Sequence, residues 1–312
     1  MLIHRLIGSF GINQFPLGGD KAVFAAGGIG FKSSVYSTLS QVNIPTDGNA
    51  TDFGNLAIGR QFTTAATNVS RGVVAGGING STYYSSIEYI TFASLSNAIA
   101  FGDLSLARGY LAGTSNGVRG LFPGGYNGTT LMTALIDYVT IATTGNATSF
   151  GNLSIASYYS SAASSTTRSI ISLGYSNAAY SAAIEYVNSN TLSNSIAFGS
   201  FAAPRSSAAA MSNGARAVFA GGQTTGAAYV ATIEYVTIST LSNALSFGNL
   251  PAARSLAAGT SNQTTGLIAG GLDAAAAVLA SIVKINIDTT GNATSFGNLS
   301  VASNGLGAAS GN

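Results

Sequence analysis

The chain has 312 residues, of which only 7% are charged. Its net charge is +2 and it has no block of basic residues, so it lacks the clustered Lys and Arg that a nucleic-acid surface uses against phosphates. It contains no Cys, which removes disulfides, thiolate metal sites and Cys nucleophiles together, and no apolar run reaches the ~18 residues of a membrane span. Hydrophobic residues make up 46%, which argues against disorder, but much of this is Ala, so the core must be built from small side chains.

Residues 1–20 fit no pattern seen later. They read as an N-terminal arm that ends in a Pro-Leu-Gly-Gly-Asp turn and holds the single His, His4. Its apolar stretch is brief and broken by Arg5, unlike a signal peptide. From residue 21 a repeat begins. A Phe-Gly marker falls at Phe53, Phe101, Phe150, Phe198, Phe247 and Phe296, at intervals of 48, 49, 48, 49 and 49 residues. Each copy carries a double glycine or close variant: Gly27-Gly28, Gly76-Gly77, Gly124-Gly125, Leu173-Gly174, Gly221-Gly222 and Gly270-Gly271. Four residues before each Phe stands an Asn (Asn49, Asn97, Asn146, Asn194, Asn243, Asn292). Asn tolerates φ > 0 and suits a tight hairpin turn, which is the role expected for it here.

Within one repeat the local pattern is strand-like. Residues 72–75 form an apolar strand that ends in glycines. Residues 87–92 are β-branched and aromatic, 95–98 read as a turn, 99–101 as another strand, and 109–114 as a fourth of small residues. No stretch shows a helical period with capping signals. Four short strands per ~48 residues, six times over, is the sequence signature of a β-propeller. The small-residue strand, such as 206–211 or 256–260, suits the crowded axis. The expected fold is therefore all-β: a six-bladed propeller of four-stranded antiparallel blades over 21–312. The first repeat lacks its small-residue strand and the C-terminus carries a spare one, 305–310. That last strand is expected to complete the first blade and bury the open edges.

These residues resemble kelch-repeat propellers: the double glycine ending one strand, the aromatics Tyr89, Tyr138, Tyr186 and Tyr235 on the next, a bulky aromatic on the outer strand, and an Arg-containing link onward. The usual outer-strand Trp of kelch repeats is Phe here, and the chain has no Trp. The wording of 136–153 is similar to kelch-like repeats in virion and tail-fibre-type proteins of bacteriophages. The resemblance implies a fold and a virion setting, and it transfers no catalytic residue.

Charge sits at three repeat positions. Arg60, Arg108, Arg205 and Arg254 enter the innermost strand; Arg71, Arg119, Arg168 and Arg216 enter the second; Glu88, Asp137, Glu185 and Glu234 lie on the third. Arg71 and Glu88 would lie near opposite ends of a hairpin, roughly 10 Å or more apart at ~3.3 Å per residue, so Arg60 or Arg108 is the better partner for Glu88. The first and third sets are expected to form structural ion pairs that tie blades together; the same ring of charges could alternatively serve a ligand. The second and third sets lapse together in the first and sixth repeats, where Ala22 with Ser40 and Thr265 with Val283 stand instead.

Enzyme chemistry lacks parts. There is no Cys, one His in the arm, and only scattered turn aspartates, and the double glycines are followed by no phosphate-loop Lys. The expectation is a non-enzymatic protein with no cofactor and no metal. Binding fits better. The loops after the double glycines vary most and collect Tyr36, Tyr83, Tyr84, Tyr126, Tyr175, Tyr180 and Tyr229, either as caps on the blade cores or as a recognition face. The functional expectation is a virion decoration, fibre or tail component. It would dock to other virion proteins through the arm and display a face to a host glycan or protein, without nucleic acid or membrane insertion, and is compatible with a homo-oligomer. The alternative is a secreted or cell-surface lectin-like module.

Overall fold

The computed structural model describes residues 19–30, 34–129, 132–176 and 179–312. The expected arm therefore lies outside the described residues, apart from Gly19 and Asp20. The described chain is all-β, with no helix. Among the described residues there are six four-stranded antiparallel sheets. The second shows the pattern, with Thr64–Thr67, Arg71–Ala75, Ser86–Thr91 and Ile99–Asp103 paired in that order. The first sheet is assembled from both ends of the chain: Gly307–Gly311 pairs with Lys21–Ala25, followed by Thr38–Asn43 and Thr51–Asn55.

Burial is greatest in the second strand of each sheet and falls toward the outer strand. The second strands (KAVFA, RGVVA, RSIIS and their counterparts) are buried on both faces after their first residue, and so read as continuous apolar runs. The outer strands bury chiefly their Phe. A bulge sets that Phe inward: Ile87 pairs with Gly102 and Glu88 with Ala100, leaving Phe101 as the extra residue, and the same shift recurs in all six sheets. The first strands (TAAT, SAAS, AAMS, AGTS, GAASG) are small enough to stand side by side. Each lies against that of the next sheet, and Gly307–Gly311 lies against Thr64–Thr67.

Three sets of contacts join the sheets in a cycle. At the inner end, Phe62, Tyr110, Tyr159, Ser207, Leu256 and Gly305 are repeat equivalents, and all have φ between 54° and 65°. Each donates its N–H to the carbonyl of the one before, and Phe62 donates to Gly305 at 2.7 Å, so six backbone hydrogen bonds run head to tail in a ring. At the outer end, the glycine of every Phe-Gly marker faces the turn of the next sheet. A Cβ on Gly54, Gly102, Gly151, Gly199, Gly248 or Gly297 would overlap the carbonyl of Ser96, Gly145, Ser193, Ser242, Gly291 or Gly48 respectively. Beside it, the repeat Asn accepts through Oδ1 the backbone N–H of the preceding sheet's outer strand, at 2.9–3.1 Å, from Asn97 around to Asn49. None of these asparagines has φ > 0. They are clasps between sheets rather than the left-handed turn formers the sequence suggested. The whole arrangement is consistent with a β-propeller.

The second set of arginines forms a third series of ties. Arg71, Arg119, Arg168 and Arg216 lie over Tyr89, Tyr138, Tyr186 and Tyr235, with guanidinium carbons 4.6–5.1 Å from the ring centroids. They donate onward to carbonyls in the turn of the next sheet, Arg168 to Ile238 and Ser239 at 3.0 Å each. The first sheet is not without such a cation. Alignment on Gly27-Gly28 placed Ala22 at this position, but the left-handed pair there is Ala26-Gly27, so the sequence register was off by one. Lys21 stands at the end of the strand and donates to the Phe92 carbonyl at 2.5 Å.

Candidate functional site

The ion-pair positions hold the links between sheets. Arg60, fully buried, pairs with Glu88 at 2.8 Å and also donates to the Ser86 carbonyl, while Ala57 N donates to the other Glu88 oxygen at 2.8 Å. Arg108 pairs with Asp137 at 2.9 Å, and Ser105 N donates to the same carboxylate. Arg205 pairs with Glu234, which also takes the Ala202 amide. Burial pulls the pKa of all three guanidinium groups down, and the facing carboxylate opposes that shift.

Glu185 and Arg254 form no such pair. In the fourth sheet Ser157 stands where the Arg would be, and Glu185 is instead bonded by Ser154 N at 3.2 Å and by the hydroxyls of Ser154 and Ser195. In the sixth sheet Val283 replaces the acid. Arg254 donates to the Ser281 carbonyl at 3.0 Å and its hydroxyl at 2.7 Å, and burial lowers its pKa with no carboxylate to offset it. The residue whose amide would serve the missing carboxylate is Pro251, which has no N–H. Where neither charge is present, Ser40 and Ser300 meet through their hydroxyls at 2.6 Å. All eight charged residues of this set are buried. Their chemistry is spent on the fold, and none offers a charge to solvent.

The tyrosines behave differently. Tyr83, Tyr126, Tyr158, Tyr175 and Tyr180 form a continuous belt of half-buried rings, with successive centroids 5.8, 5.7, 5.4 and 5.3 Å apart. Burial and neighbouring tyrosines push the Tyr158 and Tyr180 hydroxyls up, Tyr229 being one of the neighbours of Tyr180. Tyr84 stands apart, its ring 6.0 Å from the Arg60 guanidinium. Tyr36 also lies outside the belt, its backbone bonded to Gly27 and Arg60.

Inside the belt lies a second aromatic group that sequence reasoning missed. Phe62 and Tyr110 are 4.2 Å apart, Tyr110 and Tyr159 4.6 Å, and Tyr158 and Tyr159 4.8 Å. The signal was present: large rings occupy three of six equivalent positions where the other repeats carry Ser207, Leu256 and Gly305. Burial and the neighbouring tyrosines raise the Tyr110 hydroxyl, and burial does most to raise that of Tyr159; the two hydroxyls are hydrogen-bonded to each other. These residues rim an axial well of about 130 Å³, walled by the small first strands. Gly113, Ala162, Ala210, Gly259 and Ala308, at equivalent positions, are part-exposed on its wall.

Among the described residues, no group of three His, Asp or Glu side chains stands close enough to hold a metal ion. The face can offer flat apolar rings, phenol hydroxyls and backbone groups. Comparison with family models matches none, and a search of the curated proteins finds no relative.

Proposed function

We propose that the chain is a six-bladed, kelch-like propeller that acts as a non-enzymatic attachment protein of a phage virion, binding a surface glycan through its tyrosine face. The observation that carries the binding role is the belt from Tyr83 to Tyr180. It gathers five rings on one side of the molecule, where the repeat itself requires none. Tyr presents large amphipathic area at low entropic cost and stacks on the apolar face of a sugar. The virion setting is supported by the resemblance of residues 136–153 to phage kelch-like repeats. On this reading residues 1–20 dock to other virion proteins. The lectin-like module, secreted or on a cell surface, would use the same belt with a free arm.

The test is a glycan array and a cell-adsorption assay with the full chain and with Tyr126→Ala/Tyr175→Ala. The double variant should lose binding by at least about tenfold, some 1.4 kcal/mol, with its melting temperature within a few degrees of the parent. Binding that persists unchanged in the double variant sinks this reading.

A further inference from the structure

The axial well is a built site in its own right. Five of its six rim residues are non-glycine residues held in the left-handed region by the ring of backbone hydrogen bonds, so the rim is fixed by the fold. Its lining contains no Lys, Arg, Asp, Glu or His, so a charged guest would be desolvated there without a partner. Thr63 lines the well, is only 6% exposed, and its hydroxyl has no hydrogen-bond partner. That hydroxyl is itself out of reach from the well, packed toward Gly307, so it is a local packing feature and not a contact for a guest. One half of the rim is aromatic (Phe62, Tyr110, Tyr159) and the other half small (Ser207, Leu256, Gly305), so a flat guest has a ring to lie against and room opposite.

Size narrows the class. A cavity of about 150 Å³ accepts a molecule the size of benzene, so a well of about 130 Å³ open to solvent takes one edge of a single pyranose, with the rest of that sugar standing in the open mouth. We infer that the axial well is the subsite for a single uncharged pyranose, the terminal residue of a glycan whose next residues run out across the tyrosine belt. This inference rests on the glycan-binding reading above and adds to it an end-on mode and a requirement for a neutral terminal sugar. Tyr159, the most exposed of the three rim aromatics, supplies the stacking surface.

The experiment is ligand-observed NMR on the full chain with free glucose, galactose, mannose and N-acetylglucosamine, and with glucuronic acid as the charged probe. At least one neutral sugar should bind in the millimolar range expected of so few contacts, and glucuronic acid should not. Ala162→Leu and, from the facing sheet, Ala308→Leu each fill the well and should each weaken that sugar by about tenfold or more. The second variant carries the test if the first fails to fold. Absence of binding by every neutral sugar, or equal binding by glucuronic acid, overturns the inference. Binding that survives both variants overturns it too. An oligosaccharide lost from Tyr126→Ala/Tyr175→Ala but kept by Ala162→Leu and Ala308→Leu would remove the well and leave the belt standing. Loss of neither would remove both.

Discussion

The ion-pair positions and the axial rim both depart from the repeat, and they depart in opposite ways. At the ion-pair positions each lapse is mended on the spot for the charged ends, although the Nε of Arg254, like those of Arg60, Arg108 and Arg205, keeps no partner. Glu185, without its Arg, is wrapped by Ser154 and Ser195; Arg254, without its acid, turns to Ser281, and Pro251 removes the amide that the acid would have served. At the rim the lapse is not mended. Three aromatics gather on one side, and a cavity open to solvent remains. A broken repeat whose chemistry is closed locally belongs to the fold. A broken repeat left open is where a ligand can enter.

The sharpest way to break this comparison is to compare a paired acid with an unpaired one. Asp137→Asn leaves the Arg108 guanidinium buried without a counter-charge, which should cost about 3–5 kcal/mol. Glu185→Gln removes a charge that has no cation beside it, and loses at most one or two hydrogen bonds from serines at about 1 kcal/mol each. Chemical denaturation of both variants checks this; equal losses would mean that the Ser shell around Glu185 is not a local repair.

The outer clasp gives the next largest effect, and it has a built-in control. Gly297 and Gly48 face each other where the sixth sheet meets the first. A methyl group on Gly297 would overlap the Gly48 carbonyl, and neither φ lies in the left-handed region. Gly297→Ala should therefore cost about 1–3 kcal/mol through overpacking alone. Gly48→Ala points its methyl into open space and should change stability by less than about 0.5 kcal/mol. Comparable melting temperatures for the two variants would mean that the junction between the chain ends is looser than the glycine contact implies.

Much of this frame was legible in the sequence, because a period near 48 residues and a carboxylate facing an arginine are visible as spacing. The strand order and the spare C-terminal strand were legible for the same reason. What could not be read was chemistry acting between repeats. The repeat Asn looked like a turn former, yet its amide oxygen serves the neighbouring sheet, a contact that no local pattern encodes. Lys21 was hidden by a one-residue slip at Gly27-Gly28. The rim was hidden because its ring of hydrogen bonds joins residues about 48 apart, and because Tyr110 and Tyr159 fall in the small-residue segments and not in the variable loops that carry Tyr83 and Tyr126.

The smallest expected effect probes the rim without any ligand. The Tyr110 and Tyr159 hydroxyls are both pushed above their ordinary value of 10.0, chiefly by burial. In the unfolded chain each would lose its proton near pH 10. Below that pH both states hold the proton and these groups leave stability unchanged. Above it the unfolded chain binds fewer protons than the folded one, so stability must fall as pH rises. Tyr110→Phe/Tyr159→Phe removes both groups while keeping the rings. Between about pH 10 and 12 its melting temperature should fall less steeply than that of the parent, while the two slopes should match between about pH 7 and 9. Parallel slopes above pH 10 would mean that water reaches these hydroxyls freely. The rim would then be an open surface with no enclosed edge to hold a sugar ring.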